Sequence, residues 1–303
     1  MKKYTLILSI STLLVGTVAI IGWLTSGNDV EKAAVEKPYV LSMTASVDIP
    51  DEMTFAGEKI VFDRYDLRER MDRELNSFTY FHSTTLLLFK RANRIFPIIE
   101  PILKREGVPD DMKYLAVIES SLDYRATSPA RAIGLWQFIA STARLNGLEV
   151  SSEVDERYHI EKSTEAACRY LRNARREYGS WTTAALSYNG GRARITNELR
   201  KQRVENPLDI WLVDETMRYY FRMLAIKLVF ESPRRYGFVI RPHQLYKPME
   251  FKEVRVSGPI PDLVAFARDN GITYAQLKDF NSWLRSDKLT NKTGKTYTLL
   301  IPT

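Results

Sequence analysis

With 303 residues, 45% hydrophobic and 27% charged, the chain can build one large domain or a medium domain with a smaller companion, and is neither a disordered tail nor a polytopic membrane protein. Fourteen Gly and thirteen Pro exclude collagen-like or low-complexity organisation, and the single Cys excludes a disulfide framework and any zinc site built on several thiolates. Forty-four basic against 37 acidic side chains give a net charge of +7, and the basic residues are spread without an aromatic-interleaved cluster, which argues against nucleic acid and fits an anionic membrane or wall polymer.

Met1-Lys2-Lys3-Tyr4 precedes an almost unbroken apolar run from Thr5 to Leu24, and the polar stretch Thr25-Ser26-Gly27-Asn28-Asp29 follows it. Residues 1–27 therefore read as an export signal. The run is about twenty residues, enough to span a bilayer, and no small-x-small site directly follows, so the segment is a cleaved signal or, as its length favours, a retained membrane anchor. Lys2 and Lys3 keep that end cytoplasmic and send the rest to the periplasmic side of the cell envelope. The only cysteine, Cys168, lies far downstream, where lipid attachment of the lipoprotein kind is out of reach. Beside Ala167 and Leu171 it reads as a small buried hydrophobe.

Residues 28–59 read as a polar linker, with folded sequence from residue 60. From there to Glu106 the pattern is mostly helical, and Ile95, Ile98, Ile99, Ile102 and Leu103 form one apolar stripe. Pro97 and Pro101 lie within it and predict a break or kink. Val108-Pro109-Asp110-Asp111 opens the next helix, with proline in the first turn and carboxylates at the positive end of the dipole. Met112, Leu115, Ala116 and Leu122 fall on one face at positions 0, 3, 4 and 10, and position 7 of that face is Glu119. A carboxyl there has its pKa raised, as a general acid near neutral pH requires, unless it pairs with a cation such as Arg125 or Arg131.

Residues 128–134 read as a turn-rich loop, and 135–142 as a resumed helix. Gln137, flanked by Leu135, Trp136, Phe138 and Ile139, needs a hydrogen-bond partner, either a sugar group or a backbone group. Trp181, Ala184, Ala185 and Tyr188 share one face of a helix that ends at Asn189-Gly190-Gly191. Tyr188 there serves packing or chemistry. Past Pro233, Pro242, Pro248, Pro259 and Pro261 mark a boundary near residue 240. Val254 and Val256 alternate with charge, Leu263, Phe266 and Ala267 and then Leu277 and Phe280 repeat helically, and 296–301 forms a strand.

Four pieces in order, Glu119-Ser120, Gly134-Leu135-Trp136-Gln137, Ala185-Leu186-Ser187-Tyr188-Asn189-Gly190-Gly191 and Glu215-Thr216-Met217-Arg218-Tyr219, resemble the motifs of lytic transglycosylases of glycoside hydrolase family 23. The likeness spans residues 75–230; it departs where Ser187 stands before Tyr188 in place of the usual alanine. It implies a mainly α, lysozyme-like (SLT-type) catalytic domain over 60–240, with its core at 107–230. It further implies that Glu119 is the sole acid and base, cleaving the bond between N-acetylmuramic acid and N-acetylglucosamine in peptidoglycan to leave 1,6-anhydromuramoyl ends. Tyr188 would hydrogen-bond at the catalytic centre, Gln137 and Asn189 would contact sugar, and Glu215 and Tyr219 would line the cleft. Ser120, counted with the substrate-binding group, would support rather than attack.

Neither metal nor cofactor is implied, since His82, His159 and His243 are scattered without a ligand spacing. The expected partner is the peptidoglycan glycan strand, the expected state a monomer. The first rival is a muramidase that hydrolyses the same bond with Asp123 or another carboxylate as second group; the second is a wall-binding protein without turnover. At the carboxyl end, Asn270-Gly271-Ile272-Thr273 and Leu277-Lys278-Asp279-Phe280-Asn281 resemble a LysM peptidoglycan-binding module. Residues 241–303 are thus a small α/β LysM-like region, or a structural tail packed on the catalytic domain.

Overall fold

In a computed structural model residues 45–303 are described. The apolar run at 5–24, with its signal or anchor reading, lies outside the described residues. Among the described residues, no helix is long and apolar enough to cross a membrane.

The first departure comes early, where composition predicts linker through residue 59. Strands β1 (Glu52–Phe55) and β2 (Glu58–Val61) pair antiparallel, with Glu52 opposite Val61. Ala56 and Gly57 both take positive φ in the two-residue turn, which matches the twist of the paired strands. Met53, Phe55 and Ile60 are buried, so the hairpin is anchored by one apolar face. Its Glu58 carboxylate accepts from Ser180 Oγ (3.0 Å), the Trp181 and Thr182 amides (2.6 and 3.0 Å) and Thr182 Oγ1 (2.7 Å), satisfying the first turn of a helix far along the chain. Burial pushes the Glu58 pKa up, but the bonds from Thr182, Trp181 and Ser180 outweigh it and leave it lowered. A carboxylate so shifted stabilises the fold above its unfolded value near 4.5, and loses that contribution as pH falls through the folded value. Glu58→Gln is expected to cost about 1–2 kcal/mol at pH 7, read from urea midpoints, with the gap from wild type shrinking below pH 4.5.

Helices α1 (Tyr65–Tyr80) and α2 (His82–Arg105) follow. α2 runs unbroken through Pro97 and Pro101, so the predicted break does not occur. Both prolines are exposed, where the carbonyls they leave unbonded meet water, while Ile95, Ile99, Ile102 and Leu103 hold the opposite face in the core. A short 3-10 turn, Asp110–Met112, leads into α3 (Lys113–Ser120). Residues 135–139 are not helical: Ile133 bridges both Thr127 and Phe138, Gly134 and Gln137 take positive φ, and the helix α4 starts only at Ala140 (Ala140–Leu145). Tertiary pairing overrides the apolar run there.

α5 (Ile160–Tyr178) buries Ala166, Ala167, Cys168 and Leu171, and burial pushes the Cys168 thiol up to about 12, the state of an inert core residue. α6 (Trp181–Gly190) and α7 (Arg192–Gln202) meet at Gly191. α8 (Asp214–Glu231) is buried over most of its circumference and packs against α1, α3 and α6. Its orientation against α1 is fixed by Glu74, 1% exposed, which accepts from Arg218 Nε at 2.7 Å and Arg73 Nε at 2.9 Å.

The chain then returns along α2, where Asn93 Nδ2 and Arg94 Nε donate to the Tyr246 and Lys247 carbonyls. It ends in β3 (Phe251–Val256), α9 (Leu263–Asp269), α10 (Tyr274–Phe280) and β4 (Tyr297–Pro302), with β3 and β4 antiparallel. Leu263, Ala267, Leu277, Trp283, Leu299 and Ile301 make a second core that also takes in Ile133, Val154 and Tyr158 from the helical region. The expected strand, helix, helix, strand order and the packed tail are therefore one and the same structure. Arg125 binds Asp279 at 2.7 Å and Lys295 binds Glu149 at 2.6 Å, while the Asp155 and Arg285 amides bond across to the Trp283 and Glu153 carbonyls at 2.8 Å.

Candidate active site

α3 stops because Ser121 and Leu122 both turn left-handed, at φ 53° and 58°, so Glu119 occupies the last turn of a helix whose other face is core. The reversal carries Asp123 away to Arg91 Nη2 (3.3 Å) and the Arg125 amide (3.0 Å). Arg125 is in turn committed to Asp279. Neither Arg125 nor Arg131 pairs with Glu119, and its Oε1 accepts instead from Tyr219 Oη at 2.7 Å. Burial raises the Glu119 pKa to about 7; the Tyr219 hydrogen bond and the charge of Arg222 pull it down, and the charge of Glu215 pushes it up.

Tyr219 and Glu215 stand one turn apart on α8, Tyr219 buried and Glu215 exposed at the helix start. Tyr188, on the last full turn of α6, donates to the Trp136 carbonyl at 2.7 Å, and its ring meets Tyr170 edge-on at 5.0 Å. Burial, with the Glu119 charge adding to it, holds the Tyr188 phenol well above its ordinary value, so it stays neutral beside the acid. Packing and polar contact are thus both realised at this tyrosine. Asn189 Oδ1 accepts from Thr216 Oγ1 at 2.8 Å, which aims the Nδ2 donor elsewhere.

Gln137 settles the choice left open for its amide nitrogen: Nε2 donates to the Gly134 (2.8 Å) and Ala126 (3.3 Å) carbonyls. Its positive φ of 49° and these bonds make it the corner of the loop that carries Trp136. Ser120 is buried, and its Oγ donates within its own helix to the Ala116 carbonyl at 3.1 Å. That bond commits the Ser120 hydroxyl to its own helix.

Sequence reasoning missed Arg157, 6% exposed, which is bonded twice to Asp155 and donates to the Arg131 and Phe138 carbonyls at 3.1 Å. Its guanidinium braces the loop of Trp136 and Gln137 from behind. Asp-x-Arg spacing carries no recognisable signal. Arg222, which tunes Glu119 by charge, sits three residues beyond Tyr219 on α8, where helical spacing could have found it.

Residues 96–209 match the family described as Transglycosylase SLT domain, and residues 252–303 the family described as Soluble lytic transglycosylase C-terminal LysM-like domain. Residues 96–209 thus form an SLT-type, lysozyme-like domain and residues 252–303 a LysM-like domain. Over 247 residues the chain is 28% identical to membrane-bound lytic murein transglycosylase D of Escherichia coli K12, and equally so to that of Escherichia coli O6:H1. Each alignment covers 79% of this chain and 53% of the relative, so the chain spans about half the length of these curated proteins. Among solved structures, an inactive mutant of lytic transglycosylase Slt from Pseudomonas aeruginosa is similar at 17% identity and a TM-score of 0.38, over 50% of this chain and 26% of that one.

Proposed function

We propose that this chain is a peptidoglycan lytic transglycosylase that cleaves the β-1,4 bond between N-acetylmuramic acid and N-acetylglucosamine and consumes no water. The observation that carries the reading is Glu119: one carboxyl at about pKa 7, held by Tyr219, while Asp123 is spent on Arg91. An acid at that value keeps a large protonated fraction at neutral pH and remains a competent base once it has given its proton up. Glu119 protonates the glycosidic oxygen as its bond to the muramic anomeric carbon breaks. The resulting carboxylate then takes the proton of the muramic 6-hydroxyl as that oxygen closes on the anomeric carbon, so the proton count returns to its start. The substrate supplies its own nucleophile, and the usual second carboxylate is not needed. Tyr219 orients the acid, neutral Tyr188 lends an oxygen to the centre, and Asn189 Nδ2 and the outer surface of the Gln137 loop meet sugar.

In this reading residues 1–27 are an export signal or anchor, the hairpin and helices through about residue 240 are the catalytic part, 241–303 bind wall polymer, and the protein works as a monomer on the periplasmic side of the envelope. The name of the E. coli relatives, membrane-bound and acting on murein, supports that placement. The test is mass spectrometry of the soluble products from purified sacculi. Anhydromuropeptides are expected. Reducing-end products would mean hydrolysis, with Glu215 as the second carboxylate to examine because its charge is felt at Glu119. No product at all would favour a wall-binding role.

A further inference from the structure

Trp211 is the one exposed tryptophan among the described residues, with 71% of its surface open, between Ile210 and Leu212, which are buried. Val213 is exposed in turn, so the segment alternates as an extended chain does, with odd positions outward. Free indoles on loops are normally mobile, yet this one has a fixed backbone. The side-chain amide of Gln202, at the end of α7, accepts from the Trp211 N–H at 2.7 Å and donates to the Trp211 carbonyl at 2.7 Å. One amide thus does for Trp211 what a neighbouring strand would do, and Asn206 Oδ1 caps the turn just before it. The fold holds the backbone rigid and leaves the ring uncovered, which is how a binding face is arranged in advance.

The location gives the ring its ligand. Two residues on, Val213 accepts the first bonds of α8; Glu215 and Thr216 follow, Thr216 holding Asn189, and the next turn brings Tyr219 to Glu119. The segment of Trp211 is therefore continuous with the α8 wall of the cleft. An indole offers a flat apolar face with a polar edge, which suits the C–H face of a pyranose ringed by hydroxyls.

Resting on the function proposed above, we propose that Trp211 stacks on a sugar ring of the glycan strand beyond the pair flanking the scissile bond, and forms a further subsite on the α8 side. The contact adds affinity for long strands and leaves the chemistry at Glu119 alone. In the full chain, Trp211→Ala is expected to raise KM for soluble glycan strands of repeating N-acetylglucosamine and N-acetylmuramic acid about tenfold with kcat unchanged, on the scale of a tryptophan anchor. Trp211→Phe keeps a flat ring and should recover most of the affinity; Trp211→Leu keeps apolar volume without the ring and should not. Binding of the same strands to the Glu119→Gln variant, with and without Trp211→Ala, reads the contact without turnover and should show the same loss. Anhydro products from wild type with an unmoved KM in Trp211→Ala, or Leu performing as well as Phe, would overturn the subsite while leaving the proposed function standing. Absence of anhydro products from wild type would strike the function itself, and unaltered strand binding on Trp211→Ala would strike the subsite separately.

Discussion

Glu119→Gln is expected to lower anhydromuropeptide release by about a thousandfold while sacculus binding persists, since in the proposed mechanism general acid and base catalysis both pass through this one side chain. The amide keeps the shape and can still accept from Tyr219, so the loss is one of protons rather than of architecture. Stability provides the control. A carboxyl whose folded pKa is raised from 4.5 to about 7 contributes stability in its protonated form below 4.5, loses it as pH climbs through about 7, and above that the fold carries a buried charge. The Gln variant carries none, so at pH 8 its melting temperature should match or exceed that of wild type. A variant that is inactive and also melts lower at pH 8 would point to misfolding and remove the support for Glu119 as the acid.

The same shift sets the pH profile. Activity should fall as pH rises through about 7, because the protonated acid is then lost. Tyr219 lowers the Glu119 pKa through its hydrogen bond, so Tyr219→Phe should move that alkaline limb to higher pH. A limb unmoved in Tyr219→Phe would mean that another group titrates.

Gly134→Ala is the second large effect, and it is steric. Gly134 sits at φ +80°, and a Cβ there would lie 1.9 Å from the Arg157 carbonyl oxygen. Backbone on both sides is fixed: the Gly134 amide donates to the Ala126 carbonyl at 2.8 Å, and Arg157 is clamped by Asp155. With no flexible side chain to give way, the added methyl should cost about 3 kcal/mol or more, a melting-temperature drop of roughly 6–12 °C. Because the loop that moves carries Trp136, the acceptor for Tyr188, activity should fall further than stability alone requires. A melting temperature within about a degree of wild type would show that the close approach is not rigid.

The part of this site that was legible in sequence is the part made by local periodicity. Leu115 and Ala116 share α3 with Glu119 at helical spacing, while Met112 lies in the 3-10 turn before it and Leu122 past its end, so the stripe reads longer than the helix; the helix through Tyr188 placed that ring before a turn, because helical spacing decides which side chains share a face. Partners were not legible that way. Tyr219 lies 100 residues from Glu119, and only its resemblance to a known motif singled it out. The segment Leu135 to Ile139 misled because a short apolar run without period fits a buried loop as well as a helix; the deciding interactions, the bridge from Phe138 to Ile133, itself bridged to Thr127, and the Arg157 brace, use partners outside the segment. The hairpin at 52–61 was missed for the opposite reason: two strands of four residues joined by Ala-Gly give too weak a signal against a polar background. Prolines in α2 predicted a break or kink; the helix continues without a break, both prolines lying on its exposed side.

The shared core of Ile133, Val154 and Tyr158 with the carboxyl-terminal strands also orders the birth of the protein. Links such as Arg125 to Asp279 and Tyr297 to Glu149 span 154 and 148 residues, among the longest loops the fold must close, and closures of that kind come late and slowly. As the chain emerges amino end first, helices α1 to α8 can form while Ile133, Val154 and Tyr158 still lack their packing partners. A chain cut short before Trp283 would hold Glu119 in α3 but leave Ile133, Val154 and Tyr158 uncovered and the Asp155 amide without its Trp283 carbonyl.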